Sequence, residues 1–195
     1  RKVIAEHRKN DPRPLFLSIQ TMHTHSPYTG EIPEDRPEFG NLTEDPQLNE
    51  YLARVAMARE DLVAFRDDLA KAPGERGTLF LEFGDHQSVA SRSIVEAQET
   101  SPNPYANFRS SMYRTYFAVH GFGTPVDFSK FGPHDSAGYL MARLSVAANL
   151  PMSPTARDLV RLADHCDGRL HLCEERAEID LHLKKRANAG QLLLN

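Results

Sequence analysis

An aspartate and a histidine stand side by side at Asp85-His86, where Phe83-Gly84 closes the mostly apolar run Thr78-Leu79-Phe80-Leu81-Glu82. Just past the end of a buried strand, both side chains can turn onto one cation. The carboxylate supplies a hard oxygen and the imidazole a borderline nitrogen, a pair that suits Zn or Mn. A solvated strand-to-loop turn would use the same residues, since strand-end loops carry both turns and sites. A second apolar run, Pro14-Leu15-Phe16-Leu17-Ser18-Ile19-Gln20, reads as another buried strand and leads into a loop holding His23 and His25. In open α/β sheets, ligands bind outside the carboxyl ends of the strands. Parallel strands ending at Gln20 and Phe83 would bring His25 and Asp85-His86 to one sheet edge.

The segment from Pro14 through Thr21, His25, Ser26, Pro27 and Tyr28, the long helical stretch after it, and the run ending in Gly84-Asp85-His86 together resemble the alkaline phosphatase superfamily. They are most similar to its membrane-anchored, sulfatase-like phosphotransferases: lipoteichoic acid synthases, phosphoglycerol transferases and phosphoethanolamine transferases. The resemblance covers roughly residues 13–165. It implies the C-terminal portion of an alkaline-phosphatase-like α/β fold, with a largely parallel or mixed sheet flanked by helices. It makes Asp85 and His86 ligands of the catalytic metal, and His25 a substrate-binding residue. His23 is a lesser candidate for the same role, because the family motif matches His25.

The family's nucleophile, a Thr or Ser, and its first acidic metal ligand precede the strand at residues 14–20. No residue of this chain offers either, so no catalytic residue is assigned. The expectation is therefore one domain over residues 1–195, the C-terminal part of a longer bacterial enzyme and inactive alone. The implied activity is metal-dependent transfer or hydrolysis at a phosphodiester of a phospholipid headgroup in the cell envelope. The implied location is extracytoplasmic, with any membrane contact made through N-terminal segments of a parent anchored in the inner membrane. A sulfatase of the same superfamily is the nearest alternative, and there the metal is calcium. Such sulfatases usually carry Asn where this chain has His86, and calcium prefers oxygen ligands, so the imidazole favours Zn or Mn. A non-catalytic α/β binding module is the alternative from another class.

Composition sets bounds that agree with one domain. The chain has 195 residues, of which 40% are hydrophobic, and a formal charge of −4. That balance, and the lack of any dense basic patch, argue against nucleic acid as a partner. Lys184-Lys185-Arg186 reads as the polar face of a helix. No apolar run approaches the ~20 residues of a membrane span. Cys166 and Cys173 flank Asp167-Gly168. They read either as a disulfide-closed loop in an oxidising compartment or as two reduced thiols. The extracytoplasmic placement implied by the resemblance favours the disulfide. His165 and His171 lie near the two cysteines, but the spacing is not that of a zinc knuckle.

The elements that must position these groups follow from periodicity. Residues 1–12 read as helix. Residues 26–46 are rich in Pro and Gly and read as a loop, where Glu31, Glu34, Asp35 and Glu38 line a pocket rim or are simply solvated. Leu48, Tyr51, Leu52, Val55, Leu62, Phe65 and Leu69 recur at helical spacing over residues 47–71, and Pro73-Gly74 ends that helix. Largely apolar strands joined by a helix predict a parallel βαβ unit. Residues 87–112 read as a long polar loop. Residues 113–120 read as a third strand, with His120 at its end as a turn histidine. Helices are expected over residues 135–149, from Pro154 with Ser153 as its cap, and over residues 174–189.

Overall fold

The computed structural model describes residues 1–28, 40, 42–100, 103 and 106–191. Glu31, Glu34, Asp35 and Glu38 of the predicted acidic rim lie outside them. The architecture is mixed α/β, with helices around a small antiparallel sheet. Among the described residues no helix is long and apolar enough to cross a membrane.

The N-terminal half is organised by helix α2 (Pro46–Lys71). Asp45 caps it, its Oδ1 accepting from the backbone N–H of Gln47 at 2.9 Å and of Leu48 at 3.2 Å. Pro46 at the first helical position has no N–H to leave unsatisfied. The helix buries Leu48, Ala53, Met57 and Leu69. Helix α1 (Lys2–Asn10) buries no side chain and is held by polar contacts. Its Arg8 guanidinium donates to the Ala72 carbonyl at 2.5 Å, the Pro73 carbonyl at 2.9 Å and Thr78 Oγ1 at 2.8 Å. One planar fork thus fastens α1 to the turn after α2.

Strand β1 (Thr78–Phe83) forms where the sequence predicts it. Its partner is β2 (Phe117–Phe122), and the pairing is antiparallel, with Phe80 opposite His120 and Phe83 opposite Phe117. Phe80 meets Phe65 of α2 edge to face at 5.8 Å, so this sheet face packs on α2. This corrects the sequence reading in two ways. Among the described residues, 14–20 pair with no strand, so they add none to the sheet. Leu15, Phe16, Leu17 and Ile19 stand exposed along that segment, Phe16 at 73%. Their pattern is that of a strand, but a strand also needs a partner backbone to take its N–H and C=O groups. The chain between β1 and β2 also differs from the expectation. It contains helix α3 (Arg92–Gln98) and short 3-10 turns at Val89–Ser91 and Ser111–Tyr113, where a polar loop is expected. The predicted third strand begins at Phe117, not at residue 113, and His120 lies inside it.

The C-terminal half holds the clearest core. Helices α4 (Ala137–Ala147), α5 (Pro154–His165) and α6 (Arg176–Asn188) follow the predicted pattern closely. Ser153 caps α5, its side chain accepting from the Ala156 N–H at 3.1 Å. Tyr139, Leu162, Ala163, Cys166 and Cys173 form one buried cluster, with Leu159, Leu170 and Ile179 against it. Cys166 and Cys173 are joined in a disulfide, their Cα atoms 4.7 Å apart. Between them Asp167 and Gly168 both take positive φ, 48° and 70°. A Cβ on Gly168 would sit 2.1 Å from the His134 carbonyl oxygen and 2.8 Å from Asp135 Oδ1. The loop is therefore pressed flat against the entry to α4. The Gly168 carbonyl accepts from the Ser136 N–H at 2.7 Å, and the Leu170 N–H donates to Ser136 Oγ at 3.0 Å.

Two outcomes follow. Replacing either cysteine with Ser lowers stability by about 2–3 kcal/mol in urea unfolding, the loop-closure value for so short a loop. Mass spectrometry finding two free thiols in protein exported to an oxidising compartment would contradict the bridge. Gly168→Ala, which meets both the φ penalty and the backbone contact, costs at least about 2 kcal/mol in the same measurement.

Candidate functional site

Asp85 and His86 occupy the turn leaving β1, and that turn is anchored at both ends. The Gly84 N–H donates to the Tyr116 carbonyl at 3.0 Å, continuing the sheet ladder by one bond. Gly84 lies so close to β2's approach that a Cβ would fall 2.0 Å from Thr115 Oγ1. Gln87 Nε2 donates to the Arg114 carbonyl at 2.5 Å. Between these anchors the two side chains project into solvent, 68% exposed for Asp85 and 65% for His86.

The hydrogen bonds around the pair fix its chemistry. Asp85 Oδ1 accepts from the His86 N–H at 3.0 Å. His86 Nδ1 lies 2.9 Å from the Gln87 carbonyl oxygen. A carbonyl only accepts, so Nδ1 carries the proton, and in the neutral ring Nε2 keeps its lone pair. That nitrogen lies 3.6 Å from Asp85 Oδ2. Two ligands about 2.0–2.1 Å from one tetrahedral zinc sit roughly 3.3–3.4 Å apart. The pair is close to that spacing. Metal-bound histidines commonly donate their other ring N–H to a carbonyl in this way. Among the described residues no group of three or more His, Cys, Asp and Glu converges to hold a metal ion.

The histidine loop is built differently from the expectation. Residues 23–27 form turns, with the His25 N–H donating to the Met22 carbonyl at 3.1 Å. His25 is exposed, whereas His23 is half-buried and its Nε2 is shut away without a hydrogen-bond partner among the described residues. Tyr28 ties the loop to α2, its ring lying 5.3 Å from the guanidinium carbon of buried Arg54. Because residues 14–20 join no sheet, the shared strand edge expected to bring His25 beside Asp85 is absent. His120 has a packing role. Its ring stacks between Phe80 at 5.9 Å and Phe122 at 5.8 Å.

The sequence reading does not single out a second group of interacting polar side chains. A cavity of about 550 Å³ opens between α5 and α6, with His182 and Asp158 in its wall. His182 is 4% exposed. Its Nδ1 lies 2.7 Å from Asp158 Oδ2, while Lys185 Nζ and Arg161 Nε reach Asp158 Oδ1 at 2.9 and 3.3 Å. Asp158 and His182 are 24 positions apart on different helices, so no local motif joins them. The only signal was the basic run Lys184-Lys185-Arg186, which reads as an ordinary solvated helix face.

No family model, characterised protein or solved structure matches this chain.

Burial pushes the Asp158 carboxyl up, but hydrogen bonds from Lys185, His182 and Arg161 outweigh it and hold the group at about 2, against an ordinary 3.8. A carboxylate held low in the folded state contributes stability that is complete above its unfolded value and lost as pH falls through its folded one. Stability therefore drops between about pH 4 and pH 2. Asp158→Asn removes this component of the drop, which acid unfolding of the two proteins side by side will read.

Proposed function

We propose that this chain supplies the Asp85–His86 half of a divalent-metal centre in a sulfatase-like phosphotransferase. The parent enzyme would have an alkaline-phosphatase-like fold and act on phosphodiester headgroups in the cell envelope. The observation that carries the reading is the pairing on the β1 turn. An exposed carboxylate oxygen and an exposed imidazole nitrogen lie 3.6 Å apart, with the ring proton held on the far nitrogen by the Gln87 carbonyl. Such a donor set suits Zn or Mn better than calcium, which takes oxygen ligands, and so favours phosphoryl transfer over sulfate-ester hydrolysis. When bound, the metal supplies charge neutralisation at the phosphoryl oxygens and the attacking oxygen. Asp85 and His86 hold it at a fixed place, because the turn between them is pinned to Tyr116 and Arg114. His25, exposed on its own turn, is the residue assigned to phosphoryl or headgroup oxygens. No residue of this chain is assigned as the nucleophile.

The reading of another class, a non-catalytic α/β module without a working metal centre, draws on the two-stranded antiparallel sheet and on the lack of a third ligand among the described residues. Metal titration separates the two. Two protein ligands are fewer than the three or four zinc sites use, so binding of Zn²⁺ or Mn²⁺ is expected to be weak but site-specific. Asp85→Asn and His86→Ala each weaken it at least about tenfold, while His25→Ala leaves it unchanged. Calorimetry with Zn²⁺ and the electron paramagnetic resonance of Mn²⁺ read the result. Affinities that do not respond to Asp85 or His86 would leave the binding-module reading standing. Turnover of a nitrophenyl phosphodiester by this chain alone would overturn the placement of the nucleophile elsewhere.

A further inference from the structure

The cavity between α5 and α6 has the charge of an anion site. Its lining includes Arg157, Arg161, Lys185 and Arg186 against a single carboxylate, Asp158. That excess sits in a chain whose formal charge is −4. Part of it is locally committed: Lys185 and Arg161 hold Asp158, and Arg161 also pairs with Glu178 at 2.7 Å. Arg157 is exposed and gives one hydrogen bond, from Nη1 to the Met152 carbonyl at 2.6 Å. The Arg186 guanidinium is likewise only partly used, its buried Nε having no hydrogen-bond partner among the described residues.

We propose that this cleft binds a phosphorylated small molecule, its phosphoryl group held by Arg157 and Arg186. Guanidinium groups match the oxygens of a phosphoryl group in a planar, two-pronged way. The volume exceeds what a bare ion fills and lies in the range of small-molecule sites, so an organic portion is accommodated as well. The first turn of α5, where Pro154 and Thr155 line the cavity, adds the favourable end of a helix dipole. None of these residues belongs to the β1 turn, so the inference stands or falls apart from the metal reading.

The test is titration of the chain with glycerol phosphate and with inorganic phosphate, followed by calorimetry and by amide shifts along α5 and α6. Binding is expected at millimolar concentration or below, with glycerol phosphate the tighter. Arg157→Gln and Arg186→Gln each weaken it about tenfold, the loss of one charge-assisted hydrogen bond. Lys71→Gln leaves it unchanged. Arg157 is exposed, so its variant reports even if the Arg186 variant folds poorly. Sedimentation with phosphatidylcholine vesicles containing phosphatidic acid distinguishes the source. Binding to them that is lost in the Arg157 variant identifies a lipid headgroup, and glycerol phosphate binding without vesicle binding identifies a soluble ligand. Absence of binding overturns the proposal. So does binding that tracks ionic strength alone and ignores both arginine variants.

Discussion

The arrangement of the C-terminal half depends on how the Cys166–Cys173 loop lies against the entry to α4. The disulfide fixes the loop's ends, and Gly168 lets its crown come within contact distance of His134 and Asp135. Ser136 then uses both its backbone N–H and its hydroxyl oxygen to hold the loop. Asp135, with its side chain fully buried, accepts from the Gly132 N–H at 2.8 Å and pairs with Arg143 at 3.3 Å, while Arg143 also reaches Asp164 of α5. The start of α4, the end of α5 and the approach to α6 are thus tied at one place. Tyr139 fills the space beneath them with no exposed surface. Burial drives its hydroxyl up to about 12, against an opposing influence from Arg143, so the ring stays neutral there. A small cluster of this kind gains little from hydrophobic burial alone, and covalent and polar ties supply what a larger core would.

That clasp also decides where α6 stands relative to α5, and therefore whether Asp158 and His182 can meet. His182 is buried and Asp158 half-buried, and His182 without Asp158 would lose the partner of its Nδ1. Lys185 and Arg161 compensate the carboxylate from outside. The cleft is in this sense a by-product of packing: the same ion pairs that close the helix interface leave basic groups facing outward with their donors incompletely used. The result is a locally basic concavity on a chain of formal charge −4.

The N-terminal half shows what local sequence can and cannot convey. Caps and helix ends were legible because they rest on neighbours in the chain: Ser153 before Pro154, and Pro73-Gly74 after α2. Strand β1 was legible because its apolar, β-prone residues lie between turn signals and β2 supplies the partner backbone they need. Pairing was not. The antiparallel direction of β2 depends on how residues 84–116 fold back, and a connection of that length permits a crossover equally well. Residues 14–20 carry a strand's composition without a partner, so their pattern conveys a tendency that the described structure does not complete. His120 misled for a related reason. It was read as the end of a strand because the strand was placed too early, and the actual register puts it opposite Phe80, inside a stack of rings.

The two sites differ in legibility for the same physical reason. Asp85 and His86 are adjacent, so one turn suffices to aim both at one point, and the sequence displays the pair directly. The structure adds what adjacency cannot show: the Gln87 carbonyl chooses the tautomer, and the anchors to Tyr116 and Arg114 hold the turn still. The α5–α6 cleft needs two helices brought to a set angle by a loop that itself requires a glycine and a disulfide. Each of its residues, taken singly, is an unremarked polar position on a helix. A site made of adjacent residues survives changes elsewhere in the fold, whereas one assembled across helices is only as well defined as the packing between them. The Asp85–His86 pair therefore depends on its own anchored turn, while the α5–α6 cleft depends on the clasp that shapes it.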